Sequence, residues 1–170
     1  MIILGIGSNL TSTYGNRFKN IDLAISFLKK FNINIVKKSS YYETPSYPNK
    51  NNPKFINIIV GVEIKINPDE LASIIMSVEE KLERKRGIKN DPRTCDIDII
   101  DFERKIIKFK SKNLDFAVPH KELINRNFVL FPLAEVYPDW KHPITNVSVQ
   151  TLIKKLSTED KNSILKINKT

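Results

Sequence analysis

Alternating and periodic apolar residues divide the chain into strands and helices. Segment 55–64 alternates strictly, as expected for a strand that buries one face. Five aliphatic residues share the predicted core face of this strand: Ile56, Ile58, Val60, Val62 and Ile64. We predict further strands over 1–6, 33–42 and 95–100, and we expect 106–109 to pair with the last of them as a hairpin.

Two segments in the first half of the chain carry apolar residues at helical spacing. The first helix is predicted over about 13–30. The second begins at Asn67, the predicted N-cap, with Pro68 at the first helical position, and it runs to about Glu83.

The remaining segments are less regular. A helix is expected over 125–136, interrupted at Pro132, and the tail from Thr151 is expected to form a short helix with a basic end. Segment 46–54 contains two prolines and three asparagines, which favour a loop. Because this loop precedes a strong strand, it is a candidate lid.

The predicted order of elements is strand, helix, two strands, helix, strand. This βαββαβ order is that of a ferredoxin-like α+β sheet with helices on one face, followed here by a C-terminal extension. A chain of 170 residues and 19.6 kDa has the size of one domain, which we assign to 1–170. Its 41% hydrophobic and 28% charged residues exclude a disordered body.

Cysteine usage and the first residues indicate the compartment. The single cysteine, Cys95, cannot form an internal disulfide, and no Cys/His cluster has the spacing of a zinc site. Residues 1–10 are apolar but short and lack a basic leader, so we interpret them as a buried strand and not as a signal or membrane segment. We expect a cytoplasmic monomer that does not associate with membranes.

The formal charge of +9 and the pI near 9.6 favour an acidic partner. Two interpretations follow, a nucleic-acid surface or a site for an anionic small molecule. Only six of the 28 basic residues are arginine, and scattered lysine is typical of a solvated surface. We therefore expect no nucleic-acid partner.

The strongest chemical motif is PRTCDIDIIDF, residues 92–102. Asp96 and Asp98 are two apart in a strand, so they share a face with Cα atoms roughly 6.5–7 Å apart. Two carboxylates on one strand suit Mg²⁺, whose coordination is often completed by substrate phosphates. The alternative is a pair of solvated aspartates on an edge strand, which is the commoner meaning of a bare Asp-x-Asp pair. Arg93 nearby adds support for the metal and phosphate site.

Basic residues surround this motif. The loop 83–93 carries Arg84 and Arg86 and is interpreted as a phosphate clamp, the alternative being an ordinary basic helix end. His120, in VPHKELINRNF, either donates a hydrogen bond to phosphate or caps a helix entry, whereas His142 is expected to be structural.

The face of strand 55–64 opposite its aliphatic residues is suited to a flat heterocycle. Phe55 and Asn57 lie opposite the aliphatic face of their strand, where a ring could stack and an amide could bind its edge. A second packed face beneath a helix is the alternative. The sequence has no Walker-A motif, GxGxxG, kinase catalytic loop or Ser-His nucleophile context, so metal and arginines would have to hold any phosphate.

An ordered set of motifs covers most of the chain: GIGSNL (5–10), SSYYETPS (39–46), FIN (55–57), VEEKLERKR (78–86), PRTCDIDII (92–100) and VPHKELINRNFVLFPLAEVYP (118–138). This set resembles the 6-hydroxymethyl-7,8-dihydropterin pyrophosphokinase family. The resemblance implies ATP-dependent transfer of pyrophosphate to the hydroxymethyl group of a dihydropterin, with release of AMP, on the route to folate. Another Mg²⁺-dependent nucleotidyl or phosphoryl transferase and a basic RNA-binding module are the alternatives.

The resemblance also implies roles for individual residues. Asp96 and Asp98 would hold two Mg²⁺ ions and, with Arg84 and Arg86, form the catalytic set. The implied ATP-binding residues are Glu79, Arg84, Arg86, Arg93, Ile99 and His120. The implied pterin-binding residues are Thr44, Pro45, Phe55, Asn57, Asp96, Arg126 and Phe128, with Phe55 and Phe128 sandwiching the ring.

Overall fold

The computed structural model describes residues 1–85, 87, 91–111 and 114–169. The strands are β1 (Ile2–Ser8), β2 (Asn34–Lys38), β3 (Tyr41–Thr44), β4 (Phe55–Glu63), β5 (Asp96–Phe102), β6 (Ile107–Ser111), β7 (Leu114–Val118) and β8 (Leu165–Ile167). The α-helices are α1 (Arg17–Lys30), α2 (Pro68–Lys81), α3 (Asn127–Val136), α4 (Val149–Lys155) and α5 (Thr158–Asn162), and a 3₁₀ turn spans Leu123–Asn125. The predicted N-cap is confirmed, because the Asn67 side chain accepts a hydrogen bond from the backbone N–H of Glu70 at 2.9 Å.

The main sheet is antiparallel, with strand order β5-β1-β4-β3-β8 and with β2 also paired to β4. Its register places Gly7 of β1 opposite Asp96 of β5 on one side and opposite Asn57 of β4 on the other. Two residues earlier, Gly5 lies between Asp98 and Ile59. The predicted metal and heterocycle residues therefore lie in one row across the sheet, separated by a glycine.

Both faces of this sheet are covered by helices. The aliphatic face of β4 packs with α1 and α2, as the alternation predicted, in a core that includes Ile58, Leu28 and Ile75. The opposite face packs with α3 and α4 through residues such as Ile59 and Leu130. The expectation of helices on one face is thus correct for α1 and α2 only, because Ile3, Ile59 and Ile100 make the second face apolar as well.

Several predicted elements are corrected. Segment 33–42 forms two strands, because at Ser39 the side-chain hydroxyl replaces a backbone acceptor for Ile59 N–H, at 2.9 Å. Segment 106–109 pairs with β7, not with β5, and β7 itself was not predicted. The tail contributes β8 to the main sheet in addition to its helices.

Helix α3 continues through Pro132 without the predicted interruption. A proline removes one helical hydrogen bond and crowds the preceding turn. Its neighbours Val129, Leu130 and Leu133 are buried in the second core, and this burial offsets that cost.

Over the described ranges, the structure has no helix with the length and apolar character needed to cross a membrane. The segment between β3 and β4 is irregular, as predicted.

Candidate active site

Strand β5 presents Asp96 and Asp98 on one face while Ile97 and Ile99 enter the core on the other. The two aspartate side chains retain 28% and 31% of their exposure, so both carboxylates can reach a ligand. The shared face predicted from the two-residue spacing is confirmed.

Two arginines converge on Asp96. Arg84 Nη1 lies 2.6 Å from one carboxylate oxygen, and Arg93 Nη1 lies 3.3 Å from the other. Burial opposes ionisation, but the charges of Arg84 and Arg93 outweigh it and hold the pKa of Asp96 below its ordinary value. Asp96 is therefore a charged group that gathers cations at this edge of the sheet.

Arg84 forms an ion pair with Glu79 of helix α2. The buried carboxylate of Glu79 also accepts a hydrogen bond from Ile97 N–H at 2.8 Å. Only 12% of the Arg84 side chain is exposed. Glu79 thus links the start of the basic loop to the aspartate strand.

Asp98 has a different environment from Asp96. Burial and the neighbouring negative charge of Asp96 raise its pKa, although Arg126 Nη1 lies 3.2 Å from its carboxylate. The two carboxylates therefore differ in proton affinity, although they stand on the same strand face.

His120 contacts the backbone at the entry to the 3₁₀ turn. Its Nδ1 accepts a hydrogen bond from Glu122 N–H at 3.1 Å, at the start of the 3₁₀ turn, so the neutral ring carries its hydrogen on Nε2. Burial lowers the pKa of His120 despite the nearby Asp98 carboxylate. A neutral imidazole that can donate from Nε2 is compatible with a phosphate contact.

Aromatic and amide groups line the other end of the row. Asn57 is buried and donates to Thr44 Oγ1 at 3.3 Å, while Phe55 and Pro45 are half-buried. The Arg126 guanidinium lies 5.5 Å from the centre of the Phe128 ring. Strand β4 continues beneath α3 at Ile59, so the packed face is present at that position, and the heterocycle site at Phe55 and Asn57 stays a prediction.

Comparison with known proteins identifies the family. The model of the 7,8-dihydro-6-hydroxymethylpterin-pyrophosphokinase (HPPK) family matches residues 3–138. The chain belongs to this family. The resemblance drawn from the motifs is confirmed.

Relatives of two kinds match the chain. A 2-amino-4-hydroxy-6-hydroxymethyldihydropteridine pyrophosphokinase from Aquifex aeolicus is 35% identical over 143 residues, which cover 84% of both chains. The protein of the same name from Bacillus subtilis is 33% identical over 134 residues, 78% of this chain and 75% of that relative. The folic acid synthesis protein fol1 of Pneumocystis carinii is 32% identical over 96% of this chain, which spans only 21% of that longer protein.

A solved structure supports the fold. The crystal structure of wild-type HPPK-DHPS from Plasmodium falciparum matches with a TM-score of 0.70 and 16% identity, covering 91% of this chain and 44% of that chain. At this identity the match concerns the fold alone. It agrees with the antiparallel sheet and helices described above.

Ile99 and Arg86 are both among the predicted ATP-binding residues. The Ile99 side chain is buried in the first core, so only its main chain could contact ATP. Arg86 lies outside the described residues, and its predicted role remains a prediction.

Gly7 and Asn9 of the GIGSNL motif lie at the candidate site, although neither was among the residues predicted from the sequence. Gly7 adjoins Asn57, and Asn9 contacts both the Arg93 segment and the loop before β4. The motif stands out in the sequence, but no side-chain periodicity distinguishes a glycine or asparagine that serves a site from one that makes a turn.

The donor set agrees with a hard cation that needs a phosphate ligand. Among the described residues, no group of three or more His, Cys, Asp or Glu side chains could hold a metal alone. Asp96 and Asp98 offer carboxylate oxygens on one strand face, and Mg²⁺ commonly uses one or two carboxylates together with water and substrate phosphates. The two aspartates therefore fit Mg²⁺ that arrives with a polyphosphate.

Proposed function

We propose that the chain transfers pyrophosphate from ATP to the hydroxymethyl group of 6-hydroxymethyl-7,8-dihydropterin and releases AMP, a step of folate biosynthesis. The observation that carries the proposal is the row Asp96, Gly7, Asn57 across three adjacent strands. On this proposal a polyphosphate and its metal ions would bind at Asp96, and a flat, polar ring would bind beside them at Asn57. Membership of the HPPK family supports the same reaction.

The pterin would lie at the β4 end of this row. Phe55 and Phe128 would stack on its two faces, and the Asn57 amide would pair with its edge while Thr44 fixes the amide orientation. Pro45 would close one wall. The remaining contacts would come from Arg126 and Asp96, which would lie between the ring and the phosphates.

ATP would lie at the β5 end. Arg84, Arg93 and His120 Nε2 would contact the phosphates, with Arg86 added from the loop. Glu79 is buried beneath Arg84, so we expect it to position that guanidinium more than to contact the nucleotide itself. Ile99 would contribute only through its main chain.

Asp96 and Asp98 would hold two Mg²⁺ ions. The chemistry that such ions would supply is neutralisation of phosphate charge, which would lower the repulsion against in-line attack on the β-phosphorus. The chain's own contribution would be positioning and charge neutralisation, since Arg84 and Arg93 both lie at the Asp96 carboxylate, beside which the phosphates would bind.

We also infer that 1–170 is one ferredoxin-like domain, with β1, α1, the β2/β3 pair, β4, α2 and β5 as its βαββαβ core and the rest as an extension. The order β5-β1-β4-β3 supports this. We propose a monomer, since one chain supplies every site residue described. A cytoplasmic location is in keeping with a sole cysteine that is buried and free.

The test is a measurement of AMP formation. Purified protein is incubated with MgATP with and without 6-hydroxymethyl-7,8-dihydropterin, and AMP is quantified by chromatography. We expect AMP only when the pterin is present, with Asp98→Asn as the inactive control. Folded protein that forms no AMP refutes the proposal, and AMP or phosphate formation independent of the pterin indicates a different transferase.

A further inference from the structure

We propose that Asn9 is a positioning residue that fixes the backbone at Arg93 and the loop 46–54, on the pterin side of the site, relative to each other. The inference rests on the proposed function and adds a residue to which no role has been assigned. Asn9 follows β1 directly, at the end of the strand that separates the two halves of the site.

The side-chain oxygen of Asn9 binds the backbone at Arg93, on the phosphate side of the proposed site. The backbone N–H of Arg93 donates to Asn9 Oδ1 at 2.6 Å, and the Arg93 carbonyl accepts from the backbone N–H groups of Asn9 and Leu10 at 3.0 and 3.2 Å. The backbone of Arg93 is thereby fixed on both sides. Its guanidinium is the group that contacts Asp96 at 3.3 Å.

The side-chain nitrogen of Asn9 binds the loop 46–54, on the pterin side of the proposed site. Asn9 Nδ2 donates to Ser46 Oγ at 3.2 Å and to the Pro53 carbonyl at 3.0 Å. Ser46 Oγ in turn donates to the Pro53 carbonyl at 2.5 Å. These contacts draw together the two ends of the loop 46–54, which are flanked by the pocket residues Pro45 and Phe55.

The chemistry of the amide explains why asparagine stands here. Asn9 is 2% exposed, and its one acceptor and two donor hydrogens are all matched by partners. An aspartate would keep the bond to Arg93 but would set a carboxylate oxygen against the Pro53 carbonyl. A buried amide with three bonds to two separate segments therefore couples their positions.

Chosen variants can separate the two sides of the amide. Asn9→Ala removes both sides, whereas Asn9→Asp and Ser46→Ala disturb only the loop side. His142→Ala is the control, because His142 is buried and fixes a distant turn by accepting from Ile144 N–H and Thr145 N–H at 3.3 Å each. Melting temperatures are measured for all four, so that kinetic effects are compared at known stability.

Steady-state AMP formation gives the KM for each substrate. We expect Asn9→Ala to raise KM for both ATP and the pterin about tenfold, as when only about a tenth of the molecules hold the competent arrangement. Asn9→Asp and Ser46→Ala should raise KM for the pterin and leave that for ATP within about twofold. His142→Ala should leave both KM values within about twofold.

Equal changes in both KM values for all variants, or changes that follow melting temperature with His142→Ala included, would overturn the proposal. A second measurement does not depend on the reaction: hydrogen exchange of the Arg93 amide in the substrate-free protein. Exchange should accelerate at least about tenfold in Asn9→Ala and remain slow in Ser46→Ala. An unchanged Arg93 rate in Asn9→Ala refutes the positioning role, whereas absence of AMP from the unaltered protein refutes the reaction alone.

Discussion

A methyl group added at Gly7 tests the geometry of the site most directly. An alanine Cβ at this position would lie 2.6 Å from Asn57 Oδ1 and 3.5 Å from the nearest carbon of the Phe55 ring. Because ordinary contacts begin near 3.4 Å, the Asn57 oxygen would have to retreat by about 0.8 Å. Asn57 is buried and bonded to Thr44, so the displacement would change the edge against which the pterin binds in the proposed site.

The expected loss follows from that displacement. A misplacement of about 1 Å at a reacting site can lower the rate about 100-fold. We expect Gly7→Ala to reduce kcat/KM for the pterin between about 10-fold and 100-fold and to leave KM for ATP nearly unchanged. Overpacking lowers the free energy of unfolding by about 1–3 kcal/mol. Replacing a glycine within a strand raises it by about 0.5–1 kcal/mol. The melting temperature should therefore fall by only a few degrees.

Gly5→Ala is the matched control. It lies on the same strand and the same face, and its added Cβ would meet Ile100 and Ile59 side chains at 3.4–3.6 Å, which are ordinary contacts. The assay is AMP formation as a function of pterin concentration for both variants, with thermal melts in parallel. If Gly7→Ala and Gly5→Ala have the same kcat/KM for the pterin, the inference that Gly7 maintains the Asn57 position is refuted.

Further predictions concern the charged residues and the cysteine. Asp98→Asn keeps the side-chain shape but removes a charged ligand, so turnover should fall by about two orders of magnitude or more with little change in thermal stability. Arg84→Ala should slow single-turnover chemistry more than it weakens ATP binding, and it should also cost about 3 kcal/mol of stability because Glu79 and Asp96 lose a buried partner. Burial raises the pKa of the Cys95 thiol well above its ordinary value, so at pH 8 a thiol reagent should label it only after denaturation.

Each of these expectations can fail separately. Near-normal turnover of Asp98→Asn would remove the metal assignment. An unchanged single-turnover rate in Arg84→Ala would contradict its contact with transferring phosphate, and Arg84→Lys shows whether charge alone suffices. Rapid labelling of Cys95 in the native protein would contradict its position in the core.

Local patterns in the sequence were sufficient for the parts of the fold that depend on one face of one element. The alternation in 55–64 identified the core face of β4, and the spacing of Asp96 and Asp98 predicted their common face. The N-cap at Asn67 was equally local, because its partner is only three residues away.

Non-local contacts account for what was missed. The break at Ser39 depends on a hydrogen bond to Ile59, 20 residues away, and β8 is a strand only because β3 offers a free edge. Pro132 remains helical because of its packing in the second core. In each case the deciding partner is distant in sequence, so composition and periodicity near the residue carry no signal of it.

The same reasoning explains how the two halves of the site come to be adjacent. Asp96 and Asn57 are far apart in sequence but separated by a single strand, a distance of about 9–10 Å given the usual spacing of strands. The strand between them carries Gly7. Because glycine has no side chain, it leaves room for the Asn57 amide and would leave room for a flat ring beside it. Immediately beyond, Asn9 fixes the segments on either side. In the proposed site, the GIGSNL motif would therefore set the distance between pterin and phosphate, and substitutions there should alter substrate affinity before they alter folding.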